Sequence, residues 1–295
     1  WCSGHRSHHR HVDDEFEDPY SARRGFWFSH MDWMLHKYPS GQYDYKNIPD
    51  LKKDKILTLQ HKYYGFWVIL TNVVVVGAVG LLINDVLGAF LIVGLLRMVL
   101  THHCTFFINS LCHMFGSRPY TDTNTARDNA ILALFTWGEG YHNYHHYFQY
   151  DYRNGVKWWQ YDPTKWLIAL LSKIGLAKDL KRVDDLTIKH AEVIMQFKQA
   201  QERIVKGEKS LDDHLQAFKE RISAEYDAFT KTVEEWHALK AQAIELKRTE
   251  FANRLHEADE KLKEQFAQVE QKIREHSLQI EQAFLQLKGK AITTK

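Results

Sequence analysis

Gly65–Ile83 reads GFWVILTNVVVVGAVGLLI and, after only Asn84 and Asp85, Val86–Leu100 reads VLGAFLIVGLLRMVL. The first run holds no charged residue over nineteen positions. As a helix it rises about 28 Å, close to the hydrocarbon thickness of a bilayer. The second run is shorter and carries Arg97, but it extends through Thr105-Phe106-Phe107-Ile108. Residues 61–108 therefore predict a tight transmembrane helical hairpin whose two ends return to the same side. The competing reading is a hairpin buried in a soluble protein. A charge at the centre of a lipid-facing helix costs about 2.5–3.5 kcal/mol on insertion scales, so Arg97 is expected to snorkel or to line a polar interior. Lys and Arg crowd both flanks (Arg23, Arg24, Lys52, Lys53, Lys55; Arg118, Arg127, Arg153, Lys157) and are absent from the turn. That asymmetry places both flanks in the cytosol.

Outward from the hairpin lie two polar, aromatic-rich segments, 1–60 and 109–183, and then a tail, 184–295. Trp158, Trp159, Tyr161 and Trp166 suit a membrane interface, and the short amphipathic stretch Trp166–Leu176 is expected to lie on the membrane surface. The 295 residues carry 39 Lys+Arg against 37 Asp+Glu, a formal charge of +2, which excludes long-range attraction to nucleic acid. Cys2, Cys104 and Cys112 form no C-x-x-C, which excludes a disulfide scaffold, a zinc ribbon and a cysteine-bound iron–sulfur cluster. A reducing, cytosol-facing setting follows. The chain begins at Trp1 with no signal-like segment, and is expected to start internally, without its N-terminus.

The last proline is Pro163, so the tail is expected to be helical throughout, and the whole chain all-α. An eleven-residue spacing runs through it: Leu211, Ile222, Val233, Ile244, Leu255 and Phe266 on one track, and Phe218, Phe229, Phe251, Leu262, Ile273 and Phe284 on another, interrupted by Lys240. Val269 and Ile280 continue a third with Trp236 and Ala258. Eleven residues in three turns make a nearly straight apolar stripe, which predicts a long amphipathic, coiled-coil-like helix or a helical hairpin with a break at Gly207. Self-association is the expected use; the membrane surface or a dedicated partner are the alternatives. Mixed charges on its polar face (Lys231, Glu234, Glu235) argue against strong attraction to anionic lipid.

The histidines carry the chemistry. Of 18, 13 lie in the first 146 residues, and His5-Arg6-Ser7-His8-His9 and His142-Asn143-Tyr144-His145-His146 share the pattern H-x-x-H-H. Positions i, i+3 and i+4 lie on one helix face, so each pentapeptide aims three imidazoles at one point. Two such motifs, flanking a hairpin that returns both to one side, point to metal. Imidazole suits Zn, Cu, Fe and Ni alike. Six histidines exceed the four positions of a structural zinc and favour two metals or a catalytic centre with open coordination. His113 is a seventh candidate; Asn109 precedes it by one turn and could hold a metal-bound water. His11, His30, His36, His102 and His103 are expected to be non-ligands, and His61, His190, His214, His237, His256 and His276 to be solvated. Asp13, Asp14, Asp18 and Glu139 are candidates for orienting imidazoles through their second N–H, with a solvated acidic turn as the competing reading of residues 13–15.

These residues give the chain its resemblance. HRSHH, DDEFEDPYSARRGFWFSHMDWML, NSLCHMFGSRPYTDTNTARDN, WGEGYHNYHHYFQYDYRNG and WWQYDPTKW, in that order through residue 183, resemble the integral-membrane fatty acid desaturases of the stearoyl-CoA (delta-9) type, particularly bacterial members. The resemblance implies a non-haem di-iron centre, two Fe ions held in that family by nine histidines and, through water, an asparagine. Here His5, His8, His9, His113, His142, His145 and His146 would be ligands, with Asn109 through water. The family's first box, HxxxxH, and its first two spans have no counterpart in this sequence, so the chain is expected to be a truncated fragment unable to complete the site. Ser3-Gly4 stands where family members carry Asp, often Arg-Asp, before the second box, which leaves acyl-lipid and acyl-carrier substrates open beside acyl-CoA. His36-Lys37 falls where the animal enzymes have a basic pair contacting CoA phosphates, which makes Lys37 a substrate-binding candidate.

Removing hydrogen from an unactivated methylene needs an oxidant stronger than any side chain, so metal and O2 must supply it. Thr105, Phe106 and Trp137 are candidates for lining an acyl tunnel. No flavin fingerprint, cysteine cluster or haem domain is present, so an external electron donor (ferredoxin, rubredoxin or a cytochrome) is expected. The resemblance implies a delta-9 desaturase acting on saturated acyl chains in a multi-pass membrane protein with its histidine boxes and tail cytosolic. The alternatives are a di-iron fatty acyl hydroxylase or monooxygenase, and a non-enzymatic metal-binding or scaffold protein acting through its tail.

Overall fold

The computed structural model describes residues 1–42, 45–207, 213–248 and 255–293. Among the described residues the secondary structure is helical, with isolated antiparallel bridges at Ser117–Asp128 and Asp128–Tyr141 and no strand. The chain divides into two compact units, Trp1–Arg182 and Val183–Lys295.

The first unit opens with α1, Cys2–His11, whose ten residues carry the first histidine motif. α2, Lys55–Lys62, is started by Asp54, whose carboxylate accepts from the Ile56 and Leu57 amides. Tyr64–Leu82 (α3) and Val86–Met114 (α4) are each long and apolar enough to cross a membrane. Their side chains face outward, as a lipid-facing hairpin requires: Leu82 is 83% exposed and Leu87 71%. Asn84 takes the left-handed conformation at the turn, with φ +55°, and Asp85 caps α4 by accepting from the Gly88 amide at 2.7 Å. Gly80 lets the two helices meet there, since a Cβ on it would lie 2.7 Å from Val86 Cα. Arg97 is answered inside the hairpin. Its guanidinium donates to Asn72 Oδ1 at 2.6 Å and its Nε to the Val93 carbonyl at 2.7 Å. α4 runs past Ile108 to Met114 with a local break at Ser110, so the second span carries Asn109 just before that break and His113 just after it.

Beyond α4 lie three short helices, two of them started by side-chain caps. Asn129 accepts from Leu132 N to start α5, Ala130–Phe135, and Asp162 accepts from Lys165 N to start α7, Pro163–Lys173. Gly175, at φ +77°, closes α7 just short of Leu176. Between α5 and α7 lies α6, His142–Tyr147, the second histidine motif. Gly140 brings α6 close against α5: a Cβ there would stand 2.3 Å from Ala133 N and 2.6 Å from the Asn129 carbonyl.

Among the described residues the second unit is three helices: α8, Asp185–Gly207, ending at the glycine that marked a break; α9, Asp213–Arg248; and α10, Leu255–Thr293. They pack on one another around Val193, Phe229, Val233, Trp236, Val269, Ile273 and Ile280. Burying each such side chain is worth about 1.5–3 kcal/mol against leaving it in water. Of the eleven-residue stripe, Phe229, Val233, Trp236, Val269, Ile273 and Ile280 thus pack together, with Phe266 against them. Lys240 breaks the apolar track because it has other partners, Asp184 at 3.0 Å and the face of Trp236 at 4.6 Å. Leu211 and Phe251, and the side chains of Phe218, Ile222, Ile244, Leu255, Ala258 and Phe284, lie outside the described residues. His190 departs from the solvated reading: it packs against the ring of Phe229 at 5.5 Å, with Nε2 buried.

Candidate metal centre

Both histidine motifs are helical, and the i, i+3, i+4 spacing puts the three rings of each on one face, but each motif divides between two points where the sequence predicted one. His8, His113, His142 and His146 form one converging set, all four buried, and His5, His9 and His145 a second, half-buried one. Within each set the ring nitrogens lie within 4.8 Å of one another. The approach is always through Nε2: His8 to His146 at 3.2 Å, His113 to His142 at 3.0 Å, His146 to His142 at 3.1 Å, His9 to His145 at 2.9 Å and His9 to His5 at 3.2 Å. All seven histidines singled out by sequence are therefore brought together, His113 from the end of a membrane span among them.

The far nitrogens explain why Nε2 points inward. Asp18 Oδ1 lies 2.8 Å from His8 Nδ1, Thr125 Oγ1 lies 2.8 Å from His113 Nδ1, and the Tyr20 hydroxyl lies 3.0 Å from His5 Nδ1. Asn154 hydrogen-bonds the His145 ring. A ring that donates from Nδ1 keeps a lone pair on Nε2. Lone pairs gathered at about 3 Å repel, and a cation among them removes the conflict. Burial, foremost, pushes His5 and His145 down to about 4 and holds His8, His142 and His146 well below the ordinary value, with neighbouring rings adding to it at His8, His142, His145 and His146. Neutral imidazole at pH 7 is the ligating form. Burial likewise pushes Asp18 up to about 7, against the pull of the Tyr20 and Asp13 amides; a cation held by His8 would compensate that buried charge. The donor set, all imidazole with carboxylates behind it, fits two transition-metal ions.

Of the acids named from sequence, Asp18 serves His8 directly and Asp13 reaches His113 through Thr125. Asp14 turns away to the Phe16 and Glu17 amides, as the solvated-turn reading had it, and Glu139 is raised by burial and by the nearby Asp162. Sequence reasoning missed Thr125, Tyr20 and Asn154, which stand alone in sequence. His30 and His103 stay outside both sets: His30 is 2% exposed, bonded to Ser110 Oγ at 3.1 Å and to His103 at 3.0 Å. Asn109 is half-buried one turn before His113 on α4. Lys37 and Thr105 are exposed, Phe106 packs against His30 at 5.6 Å, and Trp137, at φ +57°, is 65% exposed. Among the described residues no hydrogen bond or ring contact joins these four to one another or to the seven histidines.

A membrane-type helical hairpin whose end brings His113 to the histidines of α1 and α6 defines a class of membrane-type helical proteins with a histidine-rich candidate metal site. The fatty acid desaturase family model matches residues 1–177, and the chain belongs to that family. It is 46% identical over 193 residues to acyl-CoA desaturase 1 of Saccharomyces cerevisiae, covering 65% of this chain and 38% of that protein. It is 36% identical over 186 residues to the sn-1 stearoyl-lipid 9-desaturase of Anabaena variabilis, covering 62% and 65%. With human stearoyl-CoA desaturase 5 it shares 35% over 187 residues, covering 62% and 56%. The chain thus spans between 38% and 65% of the length of these relatives.

Proposed function

We propose that the protein is a fatty acyl desaturase that introduces a cis double bond at C9 of saturated acyl chains. The observation that carries this reading is the pair of converging Nε2 sets at one end of the apolar hairpin, in a chain of the desaturase family. His8, His113, His142 and His146 would hold one iron, His5, His9 and His145 the other, with Asn109 through water. The bound iron pair and O2 would supply the oxidant that no side chain provides.

The chain's own groups do the positioning. Asp18, Thr125 and Tyr20 orient the His8, His113 and His5 rings so that their Nε2 atoms face inward. Burial of the quartet keeps water from it, and the low proton affinity of its rings keeps them neutral. Thr105, Phe106 and Trp137 are proposed to meet the acyl chain and Lys37 the polar end of its carrier. The relatives are named for acyl-CoA and for acyl-lipid substrates, and Ser3-Gly4 before the first motif keeps both open here. Electrons would come from a separate donor, a ferredoxin, rubredoxin or cytochrome. Both flanks of the hairpin, and the tail, would lie in the cytosol of a multi-pass protein.

The test is the fatty acid profile of an unsaturated-fatty-acid auxotroph expressing the complete gene with a matching electron donor, read by gas chromatography and mass spectrometry beside His145→Ala. New 16:1 or 18:1 acids unsaturated at C9, absent with His145→Ala, are expected. Hydroxylated acids would replace desaturation with hydroxylation, and no product from inserted, iron-loaded protein would overturn the acyl assignment.

A further inference from the structure

We propose that Asp13 and Thr125 are positioning residues that fix the proton of His113 on Nδ1, so that its Nε2 is presented bare to the metal. The inference rests on the metal-centre reading above and adds to it a pair of residues that no histidine motif contains.

Counting protons gives the direction of each bond. The Thr125 hydroxyl has one proton, and Asp13 Oδ1 lies within hydrogen-bonding reach of it. A carboxylate only accepts, so the hydroxyl donates to Asp13. The Thr125 oxygen then has only lone pairs left for His113, whose Nδ1 lies 2.8 Å away and must be the donor. The other Asp13 oxygen, Oδ2, accepts from the Thr125 backbone N–H at 2.6 Å, so the carboxylate grips the threonine twice and cannot swing away. With the proton on Nδ1, the Nε2 of His113 faces His142 Nε2 at 3.0 Å as a lone pair. The Nδ1 atoms of His142 and His146 are buried without such a partner. Tautomer control in the buried quartet therefore falls to His8 and His113.

The two controls are joined. Asp13 sits in the left-handed region, φ +70°, two residues after the end of α1, a conformation that Asp and Asn tolerate better than most residues. In that turn its own amide donates to Asp18 Oδ2 at 3.2 Å, while Asp18 Oδ1 faces His8. One turn at the end of α1 thus orients a histidine of its own helix and, through Thr125, a histidine carried by the second membrane span.

The experiment titrates the metal-free full chain in detergent with Co(II), whose absorption reports ligand number and geometry. Thr125→Val, Thr125→Ser, Asp13→Asn and His113→Ala are compared with the unaltered protein, and the thermal midpoint of each metal-free form is recorded. Thr125→Val is expected to weaken Co(II) binding at the quartet about 10–100-fold and to alter its absorption bands, as loss of an outer partner does. Thr125→Ser restores both, because the hydroxyl is back. Asp13→Asn keeps the turn but lets the hydroxyl reverse, and falls between them. Unchanged affinity and bands in Thr125→Val and Asp13→Asn, while His113→Ala loses the metal, would overturn the positioning role alone. A Thr125→Val that binds weakly and is not rescued by serine would mean packing, and would also overturn it. If Thr125→Val fails to fold, Asp13→Asn decides by the same two readouts. Co(II) binding that ignores His113→Ala would overturn the metal-centre reading and the inference with it.

Discussion

Asp18 Oδ1 stands 2.8 Å from Nδ1 of His8, and both side chains are almost wholly withdrawn from solvent, at 1% and 2% exposure. A carboxylate buried this completely is tolerated only with a strong partner, and His8 in turn aims Nε2 at His146. Asp18→Asn keeps the shape but removes the charge behind the ring. Metal affinity at the His8, His113, His142, His146 set is expected to fall about 10–100-fold, as for other outer-shell substitutions. The His5, His9, His145 set should be unaffected. Metal content per chain after dialysis against graded chelator checks this; equal loss from both sets would refute it.

The division into a set of four and a set of three makes a second prediction. His142→Ala removes a ligand from the first and His145→Ala one from the second. Each is expected to lower the metal content by about one ion per chain, and the double variant to abolish binding. Because metal held only by the folded form adds RT ln(1 + [L]/Kd) to stability, each variant should also forfeit part of the rise in melting midpoint on metal addition. Elemental analysis alongside thermal unfolding reads both effects.

The features that sequence made legible are those with a period. Nineteen uncharged positions and the i, i+3, i+4 histidines are local patterns; the first becomes a long apolar helix as read, and the second brings the rings together, though at two points rather than one for each motif. Thr125 lies 12 residues from His113 and 112 from Asp13, joined to them only by the folding of a loop, so no spacing could mark it. His190 was read as solvated because it has no histidine partner in sequence. Phe229, 39 positions on, is what covers it, and the contact depends on how α8 meets α9. Arg97 was legible as a charge in need of an answer, but Asn72 as that answer depends on the register of the hairpin.

Gly140 predicts a steric test of how the second motif is placed. A Cβ at this position meets backbone atoms, Ala133 N at 2.3 Å and the Asn129 carbonyl at 2.6 Å, and neither can move as a flexible side chain would. Gly140→Ala is expected to destabilise the protein by about 1–3 kcal/mol or more and to shift α6 enough to reduce metal binding. Gly41→Ala, with nothing within 4 Å of its Cβ, is the neutral control. Melting midpoints and metal content of the two variants make the comparison.

Asp128 predicts a pH effect. Its carboxylate accepts from the Asn143 and Tyr144 amides at the start of α6, at 2.8 and 3.2 Å. Burial outweighs those bonds and pushes it up to about 7 from 3.8. Its folded value lies above the unfolded one, so its support for the fold is full below about pH 4 and is lost as pH rises to about 7. Asp128→Asn keeps an acceptor without the charge. The variant should match the unaltered protein near pH 4 and exceed it by roughly 2–4 kcal/mol at pH 8, the upper figure being three units at about 1.36 kcal/mol each. Chemical unfolding at the two pH values measures the difference; a gap that is constant with pH would exclude the effect.

The tail supplies the last prediction, because its core and the metal centre belong to different compact units. Phe229 is fully buried, against His190 and within the cluster that includes Val233, Trp236 and Ile273. Truncating a buried Phe leaves a cavity and typically costs about 3–5 kcal/mol, whereas exposed positions usually change stability by less than about 0.5 kcal/mol. Phe229→Ala should therefore unfold the tail at markedly lower denaturant, and Leu278→Ala, at a side chain 55% exposed, should barely move it. All seven histidines of the two converging sets lie in the first unit, so metal content should stay the same in both variants. Limited proteolysis across 183–293 reads the first effect and elemental analysis the second. Metal loss in Phe229→Ala would mean that the helical tail supports the centre that its sequence does not contribute to.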